Sequence, residues 1–476
     1  MANEAKPKKR FDFTSYSIVV VFLCLEILAF LGFSLGQNLI LYAGLSIALF
    51  IVVLLVTFRQ IKIDGLANYA FFLFPIFIYS LLSAISVFTT ESDGAIGTVN
   101  AIFIPFALTL FAACGYFISN SKHFDISKAL LVIYSSLAVL VLLNFFINMI
   151  YFVPFYTLRY ANYYTFFDGK PSPVPVGKMA YMLFGFQIVE VSVEYWSIYP
   201  ALLLSSAIAL FFIKPKEHRN LFIAYASFTG LAFLCLLFTF NKTVLLYLLL
   251  LVLSLGLFLV FVKFPKTHKA FKIGSYIFIA LFVIGFILFF LNAQSWSSVQ
   301  GFKSMIAGNG FLNKLFNNGR LAPMATILWE SFNPAKIFGS FVGYVAGEGY
   351  GIHQTLSGSW LFDNILTSGL FGAAFFFFAF IIGVRSMAKY YLKSKDSLTN
   401  KTMLIGFVIA VFSYTLLGYD GTPLINSDRL YPIYMFAPFI ISLFLISYTF
   451  KKEEKESENA VLEQQKEDVS HEENNI

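Results

Sequence analysis

The sequence predicts an all-α integral membrane protein with about twelve transmembrane helices. Apolar residues make up 58% of the 476 residues and charged residues only 12%, whereas a soluble domain carries about 25% charged residues. The apolar residues also form long runs that do not alternate, such as "LFGAAFFFFAFIIGV" from Leu370 to Val384. A membrane β-barrel would instead alternate over segments of about 10 residues.

Twelve apolar runs approach the length needed to cross the bilayer core, which is about 20 residues. They cover residues 16–36, 39–58, 66–88, 99–118, 129–153, 196–213, 221–240, 243–262, 273–292, 359–384, 402–419 and 433–450. Helices are the expected spanning elements because each one satisfies its own backbone hydrogen bonds. We expect 1–450 to form one transmembrane domain and the acidic, polar segment 451–476 to be a disordered cytoplasmic tail.

The distribution of basic residues predicts the orientation. With the N-terminus inside and the runs alternating, 24 of the 33 Lys and Arg residues fall in cytoplasmic segments and nine in external ones. This bias follows the positive-inside rule and places both termini in the cytoplasm. Two external segments are long, 154–195 and 291–358, and the second precedes helix 10. Loops of this length are usually either functional or disordered. Because both segments contain aromatic residues and glycines and lack the lysine–glutamate mixture of disordered chains, we expect them to be ordered against the external face.

Several function classes are excluded by composition and motif. The three cysteines lie in apolar runs without C-x-x-C spacing, which indicates neither a disulfide framework nor a metal cluster. Neither a phosphate-binding P-loop nor an H-E-x-x-H motif is present. We therefore expect no cofactor, no metal and no nucleic-acid partner. Chemistry at the external face would use a substrate that carries its own energy.

Arg320 is the first candidate site residue. Asn317-Asn318-Gly319 is a turn signal, and the pattern from Leu321 to Phe332 is helical. Arg320 would then stand near a helix N-terminus, where free N–H groups and the guanidinium fork both favour phosphate. An arginine contacting lipid phosphate at the headgroup level is an equally good interpretation of the residue alone.

Three further external cations are candidates for ligand binding. Lys242 lies in the Asn-Lys-Thr turn between helices seven and eight, where lysines also reach to the interface for purely structural reasons. Arg159 is surrounded by tyrosines, which suit a sugar-binding surface and also an interfacial aromatic belt. Arg429 follows Asp428, so a local ion pair explains it about as well as a ligand does.

The general base has three external candidates. His353 is the external histidine, and its unperturbed pKa near 6.5 suits proton transfer. Asp363 falls early in helix ten, where a carboxylate also stabilises the helix dipole. Glu348 lies in the glycine-rich loop "GEGYG". The residues alone leave the choice among these three open.

Short motifs around these residues resemble the bacterial O-antigen polymerase and O-antigen ligase superfamily, membrane glycosyltransferases of the GT-C type. The family has about a dozen helices, a large external loop before the last three, and a signature of arginine, Trp, Pro and Phe-Gly. The matching residues are Gly319-Arg320, Trp329, Pro334, Phe338-Gly339 and Gly343. A second family element, Gly-Leu-hydrophobic-Gly entering a helix, is similar to Gly369-Leu370-Phe371-Gly372. The Asn-Lys-Thr turn at Lys242 resembles the basic turn of such polymerases.

The sequence departs from this pattern in two places. The spacing from Arg320 to Trp329 is longer than usual in the family. The histidine that many relatives carry before the Gly-Leu-x-Gly element is absent, and Asp363 and His353 are the nearest polar candidates for its role.

The resemblance implies a reaction and a location. The substrate would be an oligosaccharide repeat unit on undecaprenyl pyrophosphate, and the product would be O-antigen, capsule or exopolysaccharide. The reaction would be a metal-independent, inverting glycosyl transfer at the outer face of the bacterial cytoplasmic membrane. Arg320 would hold the pyrophosphate, assisted by Lys242, Arg159, Arg429 and Trp329. Membrane lipids, a flippase and a chain-length regulator are the candidate partners.

Two other functions compete with this interpretation. A lipid-linked oligosaccharide flippase also has about twelve helices, but transporters bind at the midplane between repeated halves, and the sequence shows no internal repeat. An O-antigen ligase would transfer finished glycan to a lipid A core and needs an outer-membrane glycolipid. The sequence gives neither the sugars nor the linkage.

Overall fold

The computed structural model describes the chain in separate stretches, and every structural statement below refers to them. The described residues are 48, 51, 66–85, 109–110, 112–113, 115–119, 124–150, 164–167, 170–173, 179–183, 186–191, 198–239, 242–264, 269–270, 273–274, 276–277, 280–281, 284, 360–417 and 438–450. Six of the candidate residues lie outside these stretches: Arg159, Arg320, Trp329, Glu348, His353 and Arg429. The segment 291–358 and the tail 451–476 also lie outside them.

Nine helices and four strands can be assigned in the described stretches. The helices are α1 (Leu66–Ile85), α2 (Ile126–Ile150), α3 (Ile198–Leu204), α4 (Ala207–Leu210), α5 (Arg219–Thr239), α6 (Lys242–Lys263), α7 (Trp360–Lys393), α8 (Leu398–Leu417) and α9 (Pro438–Phe450). The strands are β1 (Tyr164–Phe167), β2 (Lys170–Pro173), β3 (Met179–Leu183) and β4 (Phe186–Val191). Short helical stretches also occur within 109–119 and 269–284.

The described apolar runs are helical, which confirms the predicted class for them. By length and composition, two helices could cross a membrane, Arg219–Leu236 and Ser368–Lys393. Most helix bounds lie within four residues of the predicted runs, and two differences are larger. Helix α7 continues to Lys393, nine residues beyond the predicted end at 384, and the run 196–213 is divided between α3 and α4.

Helices α1, α7 and α9 pack side by side. Helix α9 runs parallel to α7, since the Ser386 and Thr449 hydroxyls are hydrogen-bonded at 2.8 Å and the Phe376 and Phe439 rings lie 6.0 Å apart. Helix α1 runs antiparallel to α7, because the ring of Tyr79 contacts that of Phe376 nearer the start of α7. Phe72 lies beside Gly383 nearer its end.

A second group of helices surrounds α8. Helix α2 runs parallel to α8, because Asn400 donates to Ser127 at 2.7 Å and the Tyr134 ring meets Phe407 further along both helices. The break between α3 and α4 lies beside α2, where the hydroxyls of Tyr134 and Ser205 are 2.8 Å apart. Ser205 also donates to the Leu202 carbonyl at 2.6 Å. One helix ends and the next begins at this point, and the Ser205 hydroxyl still has two hydrogen-bond partners. Polar groups that lie away from water need such partners within the protein.

These directions give the bundle two distinct ends. The basic end is where α7 ends, α8 begins, α2 begins and α6 ends. The far end is where α2 ends and α6 and α7 begin. Among the described basic residues of the helices, seven lie toward the basic end: Lys128, Arg219, Lys263, Arg385, Lys389, Lys393 and Lys401. Lys242 alone among them lies at the far end.

The turn from α7 to α8 at the basic end is held by buried polar side chains. Asp396 accepts hydrogen bonds from the hydroxyls of Tyr390, at 2.8 Å, and Tyr448, at 3.1 Å. Lys401 is only 8% exposed and donates to the carbonyls of Ser394 and Tyr391. Because a cation at a helix C-terminus satisfies carbonyls that have no partner within the helix, Lys401 closes the end of α7.

Candidate functional site

Two of the candidate residues fall on described helices, and both lie at the far end. Lys242 is the first residue of α6, and Asp363 lies in the first turn of α7. The ring of Tyr391, near the end of α7, lies 6.0 Å from Phe258 and 6.1 Å from Phe261, near the end of α6. The two helices therefore run in the same sense, so their first residues share one end of the bundle. The prediction that Asp363 falls early in its helix is confirmed.

Each of these positions has a physical consequence for the far end. The first turn of a helix exposes N–H groups without intrahelical partners and carries positive potential. Lys242 adds a cation to the start of α6, which favours an anionic group there. Asp363 belongs to the first turn of α7, and a carboxylate is one of the groups that can accept a proton in general base catalysis. The far end thus has a cation and a carboxylate on separate helices.

Helix α7 changes direction just after the turn that carries Asp363. Gly369 has φ 71° and ψ 178°, a backbone conformation that essentially only glycine adopts. The segment before Gly369 is consequently not collinear with the rest of α7, and the orientation of the Asp363 turn is set separately from the membrane-spanning part. This gives a structural reason for the first glycine of the Gly-Leu-x-Gly element.

The second glycine of that element allows a close contact within α7. A Cβ added to Gly372 would lie 2.5 Å from Cβ and 2.7 Å from Oγ of Ser368. Ser368 is fully buried, so its side chain has little room to move away. The kink at Gly369 therefore brings Ser368 back over the helix, and only a hydrogen at position 372 accommodates it.

Two β-hairpins connect α2 to α3 at the far end. Strand β1 pairs antiparallel with β2, from Tyr164 opposite Pro173 to Phe167 opposite Lys170, and β3 pairs antiparallel with β4. They lie within segment 154–195, for which the sequence predicted an external position and order but no strands. The signal that would have identified the first hairpin is Asp168-Gly169, because a two-residue Asp-Gly connection is a strong hairpin signal.

The comparisons with known proteins add no family to these observations. No protein-family model matches the chain, and no curated protein matches it significantly in sequence. Among the described residues, no group of three or more His, Cys, Asp or Glu side chains is positioned to hold a metal ion. The functional interpretation therefore depends on the sequence motifs and on the geometry of the far end.

Proposed function

We propose that this protein is a polymerase of bacterial surface polysaccharide that joins repeat units carried on undecaprenyl pyrophosphate. The observation that supports the proposal most directly concerns two residues chosen from sequence motifs far apart in the chain. Lys242 and Asp363 are 121 positions apart, yet both belong to the first turns of helices that begin at one end of the bundle. The reaction needs a cation near the leaving group and a base near the acceptor, on one face of the membrane.

The proposed topology has twelve transmembrane helices, with both termini and the basic end in the cytoplasm and the far end outside. Seven of the eight described basic residues of the helices lie toward the basic end, as the positive-inside rule predicts for a cytoplasmic face. The far end would then meet the outer leaflet, where the lipid-linked substrate is displayed. The membrane would be the bacterial cytoplasmic membrane.

In the proposed reaction, a sugar hydroxyl of one lipid-linked unit attacks the anomeric carbon of another lipid-linked glycan. A new glycosidic C–O bond forms, and the bond from the anomeric carbon to the phosphate oxygen breaks with inversion. The hydroxyl proton passes to Asp363 or His353. Undecaprenyl pyrophosphate leaves with its negative charge, which fixed cationic groups stabilise as it develops. Arg320 and Lys242 would be these cationic groups. Arg159, Arg429 and Trp329 would bind glycan or pyrophosphate.

The test is a reconstitution with purified protein and lipid-linked repeat units, without nucleotide or divalent metal. The polymerase should produce longer glycans that remain attached to the lipid. If the protein only moves intact units across liposomes, it is a flippase. If it transfers glycan to lipid A core and does not lengthen the chain, it is a ligase.

A further inference from the structure

Helix α7 exposes one continuous face on the outside of the bundle. Phe371, Phe378, Arg385 and Lys389 recur at intervals of seven, seven and four residues, which places them on one side of a helix with 3.6 residues per turn. Phe371 and Phe378 are each 52% exposed, Arg385 is exposed and Lys389 is half-buried. We call these four residues the α7 stripe.

The rest of α7 explains why the stripe remains on the outside. Gly383 lies against Phe72 and Ile446, and Ser386 is hydrogen-bonded to Thr449. Helices α1 and α9 therefore cover the face of α7 that contains these small residues. The stripe lies on another face, and about half of the surface of each of its phenylalanines is exposed to the surroundings of the bundle, which for a membrane protein is lipid.

The length of the stripe corresponds to about one leaflet of the bilayer. At a rise of about 1.5 Å per residue, Arg385 lies roughly 21 Å along the helix from Phe371. Phe378 lies roughly halfway between them. One leaflet with its headgroup region is about 20–22 Å thick, half of the roughly 40–45 Å bilayer. A cation that follows an exposed apolar surface of this length stands where lipid phosphates lie.

We propose that the α7 stripe binds one anionic phospholipid. The phosphate lies between Arg385 and Lys389, one helical turn apart, and an acyl chain follows Phe378 and Phe371. The guanidinium of Arg385 can donate two parallel hydrogen bonds to phosphate oxygens, and Lys389 adds a second positive charge. A lipid is the occupant because the surface combines exposed rings at membrane depth with cations at their edge. This site lies toward the basic end and does not depend on the proposed polymerase activity.

Lys216 provides a matched control for the charge alone. It lies in the exposed turn between α4 and α5, also at the basic end, and is not part of the α7 stripe. The nearby Lys214 forms an ion pair with Glu217 at 2.8 Å, so the charge of Lys214 is neutralised within the turn. Replacing Lys216 removes one exposed charge from the same end of the molecule and leaves the stripe intact.

The experiment is native mass spectrometry of the purified full chain with added phosphatidylglycerol or phosphatidylcholine. The wild-type protein should retain one phosphatidylglycerol in preference to phosphatidylcholine. The double variant Arg385→Gln/Lys389→Gln should bind it roughly 20-fold more weakly, on the scale of two basic residues at a lipid surface. Lys216→Gln should bind as the wild type does, and Arg385→Lys should lie between wild type and the double variant.

Three outcomes would overturn the proposal. One is equal retention of phosphatidylcholine and phosphatidylglycerol by the wild-type protein. Another is a loss with Lys216→Gln as large as that with the double variant, because a general charge effect would then suffice. The third is unchanged binding by the double variant. If the double variant does not fold, the comparison of Arg385→Lys with Lys216→Gln decides, since the proposal requires weaker binding in the former alone.

Discussion

The two ends of the helical bundle join successive helices in different ways. At the basic end, α7 and α8 are connected by residues 394–397, and Asp396 and Lys401 hold this turn through hydrogen bonds to Tyr390, Tyr448 and the end of α7. At the far end, α2 and α3 are connected by a segment containing two hairpins. At the basic end, side chains thus hold the ends of α7, α8 and α9 together. At the far end, the long connection between α2 and α3 provides residues that could form a binding surface.

The candidate residues follow the same division. Lys242 and Asp363 belong to the first turns of helices that begin at the far end, and Arg320, His353, Arg159 and Arg429 belong to segments predicted to lie outside the membrane on that side. At the basic end, Lys401 donates to carbonyls at the end of α7, and Lys128 and Lys214 form ion pairs with Asp125 and Glu217. The end with more Lys and Arg residues is therefore not necessarily the functional end, because several cations of the basic end have structural roles.

The largest expected effect concerns which end faces the cell exterior. In a variant without native cysteines, single cysteines at Ser172 and Asn309 should react with an impermeant thiol reagent in intact cells. A cysteine at Lys395, in the turn of the basic end, should react only after lysis. These outcomes follow from the asymmetry of basic residues. Labelling of position 395 from outside would reverse the assignment of the two ends.

Arg320→Ala should cause the largest loss of activity. If the guanidinium stabilises the leaving pyrophosphate, its removal should lower the rate by about 10²–10³, the scale of a lost oxyanion donor. Arg320→Lys should recover only part of the rate because it keeps the charge and loses the planar fork. The measurement is polymer length and rate from normally expressed variants.

Lys336→Ala, in the same long segment, is the control for Arg320 and should have little effect. If Arg320 instead contacts lipid headgroups, lysine should replace it almost fully. Chains of nearly wild-type length from Arg320→Ala would remove this residue from the proposed site.

Asp396→Ala tests the closure of the basic end. Two buried hydroxyls, those of Tyr390 and Tyr448, lose their carboxylate acceptor. The free energy of unfolding should fall by about 1–3 kcal/mol, the range for a buried polar group that loses its partner. Thermal unfolding in detergent should show a lower Tm for Asp396→Ala and a smaller change for Asp396→Asn, which keeps an acceptor. Lys216→Ala should leave the Tm unchanged, and an equal Tm for all three variants would contradict the role of Asp396.

Gly372→Ala tests the close contact in α7 near the far end. The added methyl group would overlap Ser368, and overpacking of this kind costs about 1–3 kcal/mol. Combining it with Ser368→Gly removes both Cβ and Oγ and should restore part of the Tm, whereas Ser368→Ala keeps the clashing Cβ and should not. Gly230→Ala in α5 is the control, because nothing lies within 4 Å of its added Cβ. A Gly372→Ala variant as stable as Gly230→Ala would show that the contact is absent.

The smallest effect is expected at the Lys214–Glu217 pair. The hydrogen bond and charge of Lys214 lower the pKa of the Glu217 carboxyl. The pair therefore contributes stability above the ordinary carboxyl pKa and loses it as the pH falls through the lowered value. Because both side chains are exposed, Glu217→Gln should lower the Tm only slightly at neutral pH and low salt. The difference should vanish in acid or in high salt, and a difference that persists in acid would exclude the ion pair as its cause.

Much of the helical arrangement was predictable, because bilayer thickness and backbone hydrogen bonding leave few alternatives for a long apolar run. The end of α7 was not, since Arg385 and Lys389 reduce the hydropathy while the helix continues along an amphipathic face. The break at Ser205 was also missed. Two serines in an apolar run do not reveal that the hydroxyl of Ser205 pairs with the Leu202 carbonyl and with Tyr134 of another helix.

The candidate site was predictable in part. The start of a helix shortly before Asp363 followed from the onset of an apolar run, and the glycines at 369 and 372 followed from the motif. Their conformations did not, because a positive φ and a contact with Ser368 depend on how α7 meets its neighbours. The role proposed for Arg320 stays a prediction from residue type and motif.

The contact between α1 and α9 has a consequence for biosynthesis. The Tyr69 hydroxyl donates to the Ala112 carbonyl and also pairs with Ser447, 378 positions later in the chain. At about 5–20 residues per second, the ribosome needs roughly 20–75 s to add that length. During this interval α1 is already made and lacks the helix that completes its packing. An early helix must therefore wait for a late one, and chains that terminate before α9 should be the natural substrates of membrane quality control.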